Sequence, residues 1–252
     1  MTELAIIGGT GVASLEGMEI ERRRAVHTPY GPPSGPVMFG RYAGTSILFL
    51  PRHGYGHTIP PHQVNYRANL WSLQYLGVKR VLAFAAVGGI HADMQPTDLV
   101  IPHQLIDYTS GRAHTFFEES EGLNSQPVTH IDFTQPYCAT LRNKLLLAAE
   151  QPDLKVHNQG VYAAMQGPRL ETAAEIDRLE KDGCDIVGMT GMPEAALAKE
   201  LDLCYATCAI VANAAAGRGA AEISMDEINH NIRIGVGHAR TVLAHLIPLL
   251  NE

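Results

Sequence analysis

Cysteine, positive charge and long hydrophobic runs are all in short supply in this chain, and each shortage excludes something. Four cysteines, Cys138, Cys184, Cys204 and Cys208, stand in 252 residues, too few and too unevenly placed for a disulfide scaffold. Cys204 and Cys208 share the apolar run 204–212. On an extended strand they would lie about 13 Å apart, too far to share one metal ion, so both read as buried free thiols. Lys and Arg number 19 against 26 Asp and Glu, a net charge of −7, and they are scattered. That leaves no basic field for nucleic acid, while a single anionic substrate in a local pocket stays open. The longest apolar run, 81–90, contains Gly88 and Gly89 and is about half of a bilayer span. With no charged leader before an apolar core, the expectation is a cytoplasmic protein without a membrane partner.

What is present is a globular composition, 46% hydrophobic and 18% charged, of a size that suits one domain over 1–252. Short apolar strands alternate with amphipathic helices, the mark of an α/β fold. Strands are expected at 4–7, 46–50, 81–86, 185–187 and 204–212. The run 81–86 is apolar throughout and reads as buried on both faces. Helices are expected at 64–76, 140–150, 172–181 and 225–249, with one more opening at Pro193. Thr172 and Glu175 have the spacing of a capping box. The acidic stretch 114–128, bearing Ser and Gly, reads as the most mobile loop.

Three groups of residues could carry chemistry. Gly8-Gly9-Thr10-Gly11 follows a strand, where backbone N–H groups and a hydroxyl can cradle an oxyanion; an ordinary Gly-rich turn is the competing reading. A dinucleotide site fits less well, because the third glycine of G-x-G-x-x-G is missing and no acid stands about twenty residues on. That weakens an NAD-dependent dehydrogenase. Arg52-His53-Gly54-Tyr55-Gly56-His57 offers a planar guanidinium fork for two phosphate oxygens and a histidine donor. The alternatives are a surface arginine with loop histidines, or a zinc site from His53, His57 and His62. The zinc site lacks a nearby carboxylate or cysteine, so no metal is expected. Gly188-Met189-Thr190-Gly191-Met192-Pro193-Glu194 sets a thioether and a hydroxyl at a strand end, beside a helix start.

These segments, together with Val64-Asn65-Tyr66-Arg67-Ala68-Asn69 and Ala86-Val87-Gly88-Gly89, come in the order found in the trimeric purine nucleoside phosphorylases. The chain resembles that family, and within it the methylthioadenosine phosphorylase branch. The resemblance implies a nucleoside phosphorylase-like domain with a central mixed β-sheet flanked by helices, a homotrimer, and inorganic phosphate as co-substrate with no other cofactor. It also implies that Thr10, Arg52, His53, the Ala86 backbone and Thr190 hold phosphate, and that Met189 packs on the ribose. The family often has a hydroxyl residue where Ala85 stands, so one phosphate contact is missing here.

By the same resemblance, Gly167-Pro168-Arg169-Leu170-Glu171-Thr172 is the loop at the purine, and Ala212-Asn213-Ala214-Ala215 the strand end beneath it. Adenosine-type members have two aspartates at the positions of Asn213 and Ala215 and a small hydroxyl at Glu171. Asn, Ala and Glu match the members that cleave 6-oxopurine nucleosides. The chemistry agrees: a carboxylate accepts the N1–H of a 6-oxopurine, and an amide gives N–H to O6 while accepting from N7–H. Met225 matches the 5′ position of the sugar, where an apolar thioether suits a methylthio group. His130 matches a residue that reaches into a neighbouring subunit's pocket. The expectation is therefore phosphorolysis of 5′-methylthioinosine to hypoxanthine and methylthioribose 1-phosphate, with Asn213 and Glu171 stabilising the departing purine. An inosine/guanosine phosphorylase, a methylthioadenosine phosphorylase and a non-catalytic nucleoside-binding module are the alternatives.

Overall fold

The computed structural model describes residues 3–12, 14–117, 129–219 and 222–250. Its backbone is a mixed sheet. β1 (Leu4–Gly8) runs parallel to β4 (Thr45–Pro51), with Ile7 opposite Leu50. The long strand β5 (Arg80–Gly89) takes β1 beside its first half, Ile7 opposite Ala83. Along its other edge lies β11 (Cys204–Ala214), parallel from Arg80 to Gly89 with a bulge between Val211 and Asn213. β10 (Ile186–Gly188) meets the far end of β5 antiparallel, Val187 opposite Gly88. β9 (Val161–Ala164) and β7 (Gln104–Asp107) continue the sheet beyond β10, and β3 (Val37–Tyr42) and β2 (Glu19–Arg24) extend it antiparallel beyond β4. The short pair β6 (Leu99–Val100) and β8 (Val156–His157) branches from β11.

Side chains alternate across a strand, and here both faces are buried. Ala5 and Ile7, Leu48 and Leu50, Val81 and Ala83 point into one apolar cluster. Leu4 and Ile6, Ile47 and Phe49, Leu82 and Phe84 point into another. α1 (Tyr66–Tyr75) and α4 (Gly191–Glu200) cover the first face through Leu70, Leu73, Leu197 and Ala198. α2 (Ala139–Ala148) and α5 (Met225–Leu250) cover the second through Leu141, Leu145, Leu243 and Leu246. Fully burying each of these leucines stabilises by about 1.5–3 kcal/mol. Truncating the fully buried Phe49 to alanine would cost about 3–5 kcal/mol.

Every strand and helix expected from the sequence is present, with ends shifted by a few residues. α1 begins at Tyr66 because the Asn65 side chain caps it, accepting from Ala68 N at 3.1 Å. α3 (Ala173–Lys181) has the expected capping box: Thr172 Oγ1 accepts from Glu175 N at 3.1 Å, and Glu175 Oε2 accepts from Thr172 N at 2.8 Å. In α4, Met192 is extended, and regular helix resumes at Pro193 after a cis peptide bond. Of the stretch 114–128 read as a mobile loop, 118–128 lie outside the described residues. Among the described residues, no helix is long and apolar enough to cross a membrane.

The cysteine reading needs correction. Cys204 is not a free thiol but is disulfide-bonded to Cys138, 66 residues earlier, while Cys184 and Cys208 are free and buried. Cys138 N donates to Tyr205 O at 2.8 Å, so the start of α2 is seated beside the start of β11. Spacing along the chain carries no sign of that contact.

Candidate active site

The parallel strands β1, β4, β5 and β11 deliver their C-terminal ends to one edge of the sheet, the usual place for a ligand crevice. β10 arrives from the opposite direction and adds its own end there. The crevice is a cavity of about 580 Å³, inside the range of small-molecule sites. Thr10, Arg52, His53, Ala86, Met189, Thr190, Glu171, Asn213, Ala215 and Met225 all line it. Residues more than 200 positions apart thus share one space. His130 is exposed and does not belong to that lining.

Thr10 and Arg52 follow β1 and β4, and Arg52 N donates to Gly8 O at 2.9 Å, locking the two strand ends together. Gly9 has a specific task. A Cβ there would fall 2.5 Å from Phe84 O and 2.9 Å from Arg52 Nη1, where Nη1 donates to that same carbonyl at 2.8 Å. Any side chain at residue 9 would displace the guanidinium.

Arg52 differs from expectation. It is 1% exposed, and its fork grips a carboxylate: Nε donates to Glu194 Oε2 at 2.6 Å and Nη2 to Glu194 Oε1 at 2.7 Å. Glu194, at the start of α4, is equally buried. It also accepts from Tyr205 Oη at 2.8 Å, and Tyr205 Oη accepts from Thr207 Oγ1 at 3.2 Å. Burial opposes the Arg52 charge, but the attraction and hydrogen bonds of Glu194 outweigh it and raise the pKa. The arginine stays cationic, and only the N–H groups left over from these bonds can face an anion. Sequence reasoning passed over Glu194 as a helix-start acid. No local pattern distinguishes it, because its partner lies 142 residues away.

His53 also differs from its reading as a donor. Nδ1 lies 2.8 Å from Ile59 O, a group that only accepts, so Nδ1 carries the hydrogen. Burial, then the positive charge of Arg52, push the imidazole down to about 4. The neutral ring therefore presents Nε2 as an acceptor. It stacks on His57, ring centroids 4.5 Å apart, and His57 Nε2 meets Thr10 Oγ1 at 2.9 Å. His53, His57 and His62 are not gathered as metal ligands: among the described residues, no group of three His, Cys, Asp or Glu could hold a metal ion.

Across the cavity, Asn213 Nδ2 donates to Ala214 O at 2.7 Å. One N–H and the carbonyl oxygen of that amide remain available. Glu171 is half-buried, and desolvation raises its pKa above the ordinary carboxylate value. Gly88 brings the β5 backbone close under Ala215, a Cβ at residue 88 standing 3.4 Å from Ala215 Cα. Val187, Ile223, Ile228 and Ile232 supply apolar wall between these polar points. A flat molecule with hydrogen-bonding edges, joined to a small anion, matches this division of chemistry.

Known proteins lead to the same place. Residues 3–248 match the profile of the Phosphorylase superfamily. A probable S-methyl-5'-thioinosine phosphorylase of Pseudomonas syringae pv. tomato is 53% identical over 247 residues, covering 98% of this chain and 99% of that protein. The 6-oxopurine nucleoside phosphorylase of Pyrococcus furiosus is 45% identical over 229 residues, covering 90% and 85%. Among solved structures, methylthioadenosine phosphorylase from Schistosoma mansoni in complex with adenine superposes with a TM-score of 0.92 at 33% identity, covering 100% of this chain and 92% of that one. With strand-end hydroxyls and an arginine beside an amide and a carboxylate in one crevice, the chain belongs to the phosphorylase superfamily.

Proposed function

We propose that this protein is a purine nucleoside phosphorylase, a pentosyltransferase that cleaves S-methyl-5'-thioinosine with phosphate to hypoxanthine and 5-methylthioribose 1-phosphate. The observation that carries the reading is the pairing of Glu171 and Asn213 in the cavity that also holds Arg52, His53 and Thr190. Relatives named for methylthioinosine and for 6-oxopurine nucleosides support it.

In this reading Thr10, Thr190, the Ala86 backbone and the remaining Arg52 N–H groups place phosphate below C1′ of the sugar. Nε2 of His53 accepts the hydrogen of the phosphate P–OH. As the C1′–N9 bond breaks, a phosphate oxygen bonds to C1′, and the electron pair leaves with the purine. Asn213 gives its free N–H to O6, and N7, a lone pair in the intact nucleoside, takes up the proton that phosphate loses on bonding to C1′ and then donates it to Asn213 Oδ1, while the Glu171 carboxylate accepts from N1–H. Holding the reactants in line and stabilising charge where it develops supply the acceleration. Met189 packs on the ribose, Met225 on the methylthio group, and Ala215 leaves room beneath the base. Phosphate is the co-substrate, and the reaction as written uses no metal or organic cofactor. We place the enzyme in the cytoplasm as a homotrimer. The exposed His130, off the cavity of its own chain, fits a residue used by a neighbouring copy.

A second reading, an inosine or guanosine phosphorylase, shares the base wall. It is favoured by the exposure of Met225, 62%, which leaves the 5′ end of the sugar less enclosed than the base. Purine release from methylthioinosine, inosine and methylthioadenosine, each with and without phosphate, separates these readings. Faster cleavage of methylthioadenosine would overturn the base assignment. Asn213→Asp is expected to lower the ratio of oxopurine to adenine nucleoside cleavage roughly ten- to a hundredfold, because one buried hydrogen bond to O6 becomes a repulsion.

A further inference from the structure

Arg112 lies outside every strand and helix and was not singled out by any motif, yet it is 8% exposed and saturated with hydrogen bonds. Nε donates to Gln166 Oε1 at 3.0 Å, and Nη2 donates to Met165 O at 3.2 Å and Gln166 O at 2.8 Å. Nη1 donates to Met189 O at 2.8 Å and Met192 O at 2.6 Å, with Tyr66 Oη at 3.4 Å. All these acceptors are neutral, so the cation is held by dipoles supplied from two separate segments. Met165 and Gln166 lead directly into the loop that carries Glu171. Met189 and Met192 bracket Thr190. One planar group therefore ties the wall assigned to the base to the wall assigned to sugar and phosphate. A second observation shows how closely these walls meet: Gly167 has φ +62, and a Cβ there would lie 2.4 Å from Met189 Sδ.

We infer that Arg112 is a positioning residue that sets the spacing between the base wall and the phosphate wall, coupling base choice to phosphate placement. The inference rests on the phosphorolysis reading above. A lysine can hold one set of carbonyls as a point charge but lacks the planar fork needed for both.

The test compares the unmodified protein with Arg112→Lys, Arg112→Gln and Gln166→Ala. Arg112→Gln is expected to raise KM for nucleoside and for phosphate and to cut the ratio of kcat/KM for methylthioinosine over methylthioadenosine at least tenfold. Arg112→Lys should restore thermal stability but not that ratio. Gln166→Ala, which removes the acceptor of Arg112 Nε and of Ser110 N but keeps the backbone carbonyls that Arg112 holds, should lower the ratio and leave the phosphate KM unchanged. Folded Arg112 variants that keep the KM values and ratio of the unmodified protein would overturn the inference. So would a loss that scales kcat equally for every nucleoside, the result of a merely structural role. If Arg112→Gln does not fold, Arg112→Lys and Gln166→Ala decide by the same ratios. Should the unmodified protein release no purine with phosphate, the functional reading fails on its own. Amide hydrogen exchange then judges the clamp, which requires faster exchange at 165–171 and 188–193 together in Arg112→Lys. Acceleration in one segment alone, or in neither, would overturn it.

Discussion

Ionised, Glu171 can only accept hydrogen bonds, and its burial makes ionisation harder. Protonated, it becomes a donor and suits the lone pair on adenine N1 instead. Base preference should therefore depend on pH. Lowering the pH through the raised carboxyl range is expected to reduce the kcat/KM ratio of methylthioinosine to methylthioadenosine, read from parallel pH profiles. A ratio that stays flat from pH 8 to pH 5 would remove Glu171 from the base. His53 gives a second pH dependence, of stability. Its folded pKa of about 4 lies below the ordinary 6.5, so between those values the unfolded chain takes up a proton that the native state refuses. Stability is complete above about pH 6.5 and declines as pH falls toward 4, by up to about 1.4 kcal/mol per pH unit. Denaturant titrations across that range should show the slope, and His53→Gln should flatten it.

At the scale of elements, α4 and the end of β4 are joined by the Arg52–Glu194 pair rather than by apolar packing alone. Removing one partner of a buried pair strands the other charge, at a cost of about 3–5 kcal/mol. Glu194→Gln is thus expected to lower stability by that order. It should also raise the phosphate KM, because an arginine freed from its carboxylate no longer holds one orientation. Unchanged phosphate KM in a folded variant would separate the pair from the anion wall. This element also shows what the chain discloses before folding. The strand runs 46–50, 81–86 and 204–212 are continuous apolar stretches bounded by turns, and so were readable. β2, with the sequence Glu-Ile-Glu-Arg-Arg-Arg and every residue exposed, has no such alternation and was not. The lining residues on strand ends were legible because motif order survives in sequence. Glu194, Arg112 and the Cys138–Cys204 bond were not, because each is defined by a partner far along the chain.

For the whole molecule, the disulfide closes a span of 66 residues between α2 and β11. On chain entropy alone such a closure is worth about 4 kcal/mol. Denatured without reductant, the protein should show two reactive thiols, Cys184 and Cys208, and four after reduction. Cys204→Ser should lower Tm by several degrees while purine release at 25 °C persists. Four thiols without reductant would mean that the bond does not form in solution.

The side chains assigned to phosphate sit after β1, β4 and β10, whereas those assigned to the purine sit on the 167–171 loop and at the end of β11. On that assignment the two sets stand on separate pieces of chain, tied together by Arg112, which bonds to residues of both. A substitution at the base that spares Arg112 and its acceptors leaves the phosphate side inherited intact, so a lineage could exchange one nucleoside for another without ever passing through an inactive ancestor.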